Sequence, residues 1–117
     1  MKSTNELGGI NVSAEAVATL TGEIVAQCYG VVGMASKKLF KDAFAVLLKK
    51  ENISKGVVVK DTRDGLILDI YVIVCYGVKI PQVVKEVQKK VKYELGNMLD
   101  IEFAAINVYV QGVKEID

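Results

Sequence analysis

From Leu66 to Tyr76 the residues alternate with a period of two, and one side of the alternation is Leu66, Leu68, Ile70, Val72 and Val74 without a polar interruption. A strand turns successive side chains to opposite faces, so these five aliphatic groups share one side of one strand. At about 1.5–3 kcal/mol for each one buried, that side has to lie beneath other elements. The opposite side, Ile67, Asp69, Tyr71, Ile73 and Cys75, is mixed. A last strand, Ile101 to Gln111, repeats the division, with Ile106, Val108 and Val110 on one side and Asn107, Tyr109 and Gln111 on the other. The pattern predicts a sheet with one buried face and one partly open face.

Helices to cover the buried face are present in the periodicity. Ser13 is a natural N-cap, and Val17, Leu20, Ile24, Val25 and Cys28 recur at spacings of three and four, with Val12 placed to staple onto Val17 and Gly30 to stop the helix. Pro81 opens a second clear helix with the stripe Ile80, Val84, Val87, Val91, Leu95, Met98. A further helix is read over Leu39 to Lys50, and short strands over Gly9 to Val12 and Val31 to Ala35, with Gly33 a candidate bulge. Val57 to Asp61 pairs with the alternating strand through a turn at Asp64-Gly65. The predicted order is β-α-β-α-β-β-α-β, an α/β (α+β) two-layer sandwich with a mixed sheet and helices on one face. One domain over residues 8–114 is expected, with flexible tails at 1–7 and 115–117. Cys-Tyr-Gly-Val occurs twice, at Cys28 and at Cys75, but one copy ends a helix and the other a strand, so it is no repeat.

Several chemistries are excluded by composition. The 117 residues contain no histidine, which removes the usual general base near neutral pH and every Ser-His or Cys-His arrangement. Fifteen cations against fourteen anions leave a net charge of +1 and no strong field for polyanions. Arg63 is the only arginine, so the planar fork that reads phosphate or guanine is nearly missing. Cys28 and Cys75 are expected as reduced thiols. No apolar run follows a basic start at the amino terminus, and the longest apolar stretch, Ile70 to Val78, is far below the ~20 residues that span a bilayer. A cytoplasmic protein with no cofactor and no enzymatic activity is expected.

Two surfaces are candidates for binding. Tyr71 and Tyr109, beside Asp69 and Asn107 on the open sheet face, offer contact area with polar handles, as protein interfaces do. Lys85, Lys89 and Lys92, with Lys90 beside them, form a helix stripe for phosphate or an acidic partner, although Glu86 at the spacing that pairs with Lys90 also fits a simple solvated face. Asp61 and Asp64 read as turn residues of a solvated hairpin.

Six segments in order resemble the alkaline shock protein family, the envelope stress response proteins of Gram-positive bacteria. They are Gly9-Ile-Asn-Val-Ser13, Tyr29-Gly-Val-Val-Gly-Met34, Lys55-Gly-Val-Val-Val59, Asp69-Ile-Tyr-Val-Ile-Val74 with Tyr76-Gly77 and Ile80, Val87-Gln88 with Val91, and Ile106-Asn-Val-Tyr-Val-Gln-Gly-Val113. The short chain looks like the housekeeping-type members. The resemblance implies a non-catalytic cytoplasmic interaction or scaffold module for cell-envelope homeostasis, with Gly30, Gly33, Gly77 and Gly112 as structural positions. Its implied partners are further copies of itself, other cytoplasmic proteins or a membrane-anchor protein, so that membrane contact is indirect. Nucleic acid is not the expected ligand, and the alternatives are a small RNA-binding domain using the lysine face or an accessory protein of fatty-acid metabolism.

Overall fold

The computed structural model describes residues 13–35 and 56–115. In chain order the elements are helix α1 (Ala14–Ala26), strand β1 (Val31–Met34), strand β2 (Val57–Thr62), strand β3 (Gly65–Cys75), helix α2 (Ile80–Leu99) and strand β4 (Phe103–Lys114). The strand expected over Gly9 to Val12, the helix expected over Leu39 to Lys50 and the staple partner Val12 lie outside the described residues.

The alternating strand, β3, is the centre of the sheet. One of its edges pairs antiparallel with β2 over Gly65 to Ile70 and with β1 over Val72 to Val74. Ala35 N–H donates to the Tyr71 carbonyl at 3.1 Å, so the edge passes from β1 to β2 without a gap. The other edge pairs parallel with β4 along nearly its whole length. A parallel pair needs a crossover connection, and α2 supplies it. The sheet is therefore mixed, as the pattern predicts.

Leu66, Leu68, Ile70, Val72 and Val74 are all buried, and they form one cluster with Val17 and Val25 of α1 and with Val83, Val87, Val91 and Leu95 of α2. Both helices thus cover one face. Ser13 caps α1 by accepting from Ala16 N–H at 3.0 Å. Gly30 leaves the helix with a φ of +88°, and a Cβ there would stand 2.7 Å from Val83 Cγ2. No larger residue fits where the exit of α1 meets the first turn of α2. The two Cys-Tyr-Gly-Val segments meet nearby, with Cys75 N–H donating to the Gly30 carbonyl at 2.8 Å.

Three local expectations are corrected. The buried stripe of α2 is Val83, Val87, Val91 and Leu95, while Ile80 and Met98 are exposed and Val84 is half-buried. Contact with Gly30 fixes Val83 as the first inward residue, and the two ends of the 20-residue helix turn outward. The hairpin register pairs Thr62 with Gly65, so Arg63 and Asp64 form the turn and Gly65 opens β3. Its φ is +128°, and an added Cβ would meet the Glu102 carbonyl oxygen at 2.7 Å, so glycine is required there by backbone and neighbour alike. β4 runs from Phe103 to Lys114 rather than from Ile101 to Gln111.

Leu95 and Met98 therefore differ in energy despite belonging to one predicted stripe. Urea unfolding of Leu95→Ala is expected to show a loss of about 2–5 kcal/mol from the cavity it leaves. Met98→Ala is expected to stay within about 0.5 kcal/mol of the parent. Equal losses would place the helix in a different rotation about its axis.

Candidate functional site

On the face of the sheet away from α1 and α2, β3 presents Asp69 and Tyr71, and the parallel register sets Asn107 opposite Asp69 and Tyr109 opposite Tyr71. The four residues singled out in the sequence thus form one square of neighbours across two strands. The tyrosine rings stack with centroids 5.1 Å apart and planes 19° from parallel. Asn107 Nδ2 donates to Asp69 Oδ1 at 2.9 Å.

A fifth member comes from β2. Lys60 lies diagonally across from Asp69, and its Nζ is 3.1 Å from Asp69 Oδ2. Asp69 is only 4% exposed, and a buried carboxylate is tolerated because both oxygens are engaged. Sequence reasoning missed Lys60. A two-residue turn at Asp64-Gly65 would set Lys60 directly opposite Asp69 and the observed turn sets it on the diagonal, so alternation along β2 places Lys60 on the Asp69 face in either register and was the signal available.

The face is less open at its centre than the pattern implies. Tyr71 is 8% exposed and Ile73 4%, while Tyr109 is 43% exposed. Tyr109 covers its partner, and the accessible part of the site lies on β4 and the Lys60 side of β2. Two residues beyond Tyr109, where a bulge shifts the β3–β4 register, Gln111 Oε1 is buried with no hydrogen-bond partner among the described residues.

Electrostatics bind the cluster together. The hydrogen bond to Asp69, then its charge, raises the Lys60 pKa above 10.5. Burial raises the Tyr71 pKa above 10.0, with the Asp69 charge adding to it. Burial likewise pushes up Cys28, whose Sγ donates to the Ile24 carbonyl at 3.5 Å, so this thiol is held protonated and is a poor nucleophile. Cys28 and Cys75 are both free thiols.

The lysine stripe lies elsewhere. Lys85, Lys89 and Lys92 are exposed and line a cavity of about 370 Å³ between α2 and the start of β4. Lys90 does not join them; it sits 3.9 Å from Glu94, and its charge acts on Cys28 of the α1 end. Glu94, not Glu86, is therefore its partner on the helix. Asp61 and Asp64 are exposed on the hairpin. Among the described residues no group of three or more Cys, Asp or Glu side chains is placed to hold a metal ion.

The alkaline shock protein 23 family, described as having a cell envelope-related function, matches residues 2–115. The chain belongs to this family. It is 44% identical over 116 residues to the uncharacterized protein Spy1614 of Streptococcus pyogenes serotype M6, covering 99% of this chain and 96% of that one. It is 43% identical over 107 residues to the uncharacterized protein YloU of Bacillus subtilis strain 168, covering 92% and 89%. YqhY of the same strain, also uncharacterized, is 30% identical over 108 residues, covering 92% and 78%. No solved structure matches. Membership agrees with the resemblance carried by the six segments, and it brings a cell-envelope role at the level of the family.

In this alkaline-shock-family chain the cluster should loosen on the alkaline side. Tyr71 is neutral when folded and ionises near 10.0 when unfolded, so its contribution is complete below 10.0 and is lost as pH rises through the higher folded value. Lys60 has the same sign: its contribution is complete below 10.5 and fades as pH rises through the folded value. Melting temperatures measured from pH ~8 to ~11 should fall less steeply above pH ~10 for Tyr71→Phe than for the parent. Cys28 titrates in both proteins and cancels. Parallel curves would show that Tyr71 does not govern the alkaline loss.

Proposed function

We propose that this chain is a non-catalytic protein-interaction module in cell-envelope homeostasis and stress, holding further copies of itself or other proteins through the sheet face of Asp69, Tyr71, Asn107 and Tyr109. The observation that carries the reading is the Tyr71–Tyr109 stack, a rigid aromatic pair with one ring buried and the other presented to solvent. An ordered tyrosine gives a partner a large amphipathic contact at small entropic cost. The Asp69–Lys60–Asn107 network fixes the strands beneath it.

The reading places the chain in the cytoplasm. Among the described residues no helix is long and apolar enough to cross a membrane, and contact with the envelope is assigned to a partner protein. The absence of histidine from the sequence supports a binding role over acid–base catalysis.

Tyr109→Glu tests this face, because Tyr71→Glu would bury a carboxylate and unfold the chain. Sedimentation velocity over a concentration series should show self-association in the parent, weakened by about 2 kcal/mol or more, roughly 30-fold, in Tyr109→Glu. Circular dichroism checks that the variant is folded. Should the association constant of a folded Tyr109→Glu equal that of the parent, this face is not the contact.

A further inference from the structure

The edge of β4 turned away from β3 is a strand edge beside a helix. Among the described residues β4 pairs only with β3, although it is 12 residues long. An unpaired edge is a template for another strand unless something blocks it. Here α2 borders the edge without filling the space, leaving the cavity of about 370 Å³ over Phe103 to Ile106. Gln88 Nε2 reaches across from the helix and donates to the Ile106 carbonyl at 2.8 Å. A carbonyl of β4 thus already takes a donor from outside the strand ladder, as it would from the N–H of an added strand.

The lysines identify the occupant. Lys85, Lys89 and Lys92 line this cavity, and among the described residues no acidic side chain does. At helical spacing they extend over about 10 Å of axis. Side chains on one face of an added strand recur every ~6.8 Å, so two carboxylates separated by a single residue match the row. A nucleic-acid strand would use the charge and leave the edge unused, and the groove offers it no guanidinium. A second copy paired here through β4 would set lysine rows near each other.

We propose that the groove between α2 and the β4 edge captures an extended acidic segment of a partner protein by strand addition to β4, with Lys85, Lys89 and Lys92 engaging its carboxylates. Main-chain hydrogen bonds supply the general affinity in such binding, and the lysines supply the choice of sequence. The proposal deepens the interaction-module reading at the outer edge of β4, beside the Tyr109 face.

The probe is a blocked octapeptide alternating glutamate with valine, titrated into the full ¹⁵N-labelled chain. Saturable shifts are expected in the amides of residues 103–108 and of Lys85 to Lys92. Affinity should fall at least about tenfold in the triple variant Lys85→Glu, Lys89→Glu, Lys92→Glu, and a lysine–valine peptide should bind that variant in preference to the parent. A peptide N-methylated at alternate nitrogens should also bind at least about tenfold more weakly. The idea is overturned by an absence of saturable binding, by undiminished binding of the N-methylated peptide, or by tighter binding of an oligouridylate of equal charge. Concentration-dependent broadening of the amides of residues 103–106 in Tyr109→Glu without peptide would also overturn it, because a second copy would then own the edge. If the peptide fails while Tyr109→Glu still abolishes association, the groove is rejected and the sheet-face reading stands.

Discussion

Everything in this structure depends on β3 having no free side. Its aliphatic face lies under both helices, one edge is shared end to end by β2 and β1, and the other edge carries β4. Its outer face holds Asp69, Tyr71 and Ile73, all nearly inaccessible. A charge on such a strand has to be answered from the flanks, and Lys60 from one side and Asn107 from the other answer it. The polar network is thus a consequence of the sheet topology. It also ties together strands that the chain visits at distant points, since Asp69 and Asn107 are separated by 38 positions.

The same topology explains what was legible in the sequence. The faces of β3 and β4 could be read because alternation is a property of neighbouring residues and needs no knowledge of the fold. Parallel pairing then places Tyr71 beside Tyr109 and Asp69 beside Asn107, so the square of candidate residues assembles from two separately readable strands. What alternation cannot reveal is shielding by the neighbour across the ladder. That is why Tyr71, expected on an open face, is covered, while Tyr109 remains accessible.

The misread features have a common cause. Ile80 and Met98 have the right spacing for the α2 stripe, but the contact of Val83 with Gly30 sets the helix rotation, and that contact links residues 53 positions apart. The preference of glycine for positive φ points to Gly65 as a turn residue, yet the decisive constraint is the backbone of Glu102 lying against it. Both errors come from tertiary contacts that outrank local preference. The lysine stripe shows the reverse. Its helical spacing was evident, and only the tertiary structure sets it beside a strand edge.

β4 is the element on which the two proposed surfaces meet. Asn107 and Tyr109 turn toward the sheet face away from α1 and α2, while Phe103 to Ile106 floors the groove under Lys85, Lys89 and Lys92. A strand added along β4 would continue the sheet, and its outward side chains would stand next to Tyr109 on the same face. The two contacts would then be adjacent parts of one surface. That geometry gives a reason for β4 to be parallel to β3: an antiparallel hairpin partner needs only a tight turn, whereas the parallel strand brings its crossover helix with it. The lysine wall beside the edge is supplied by that crossover.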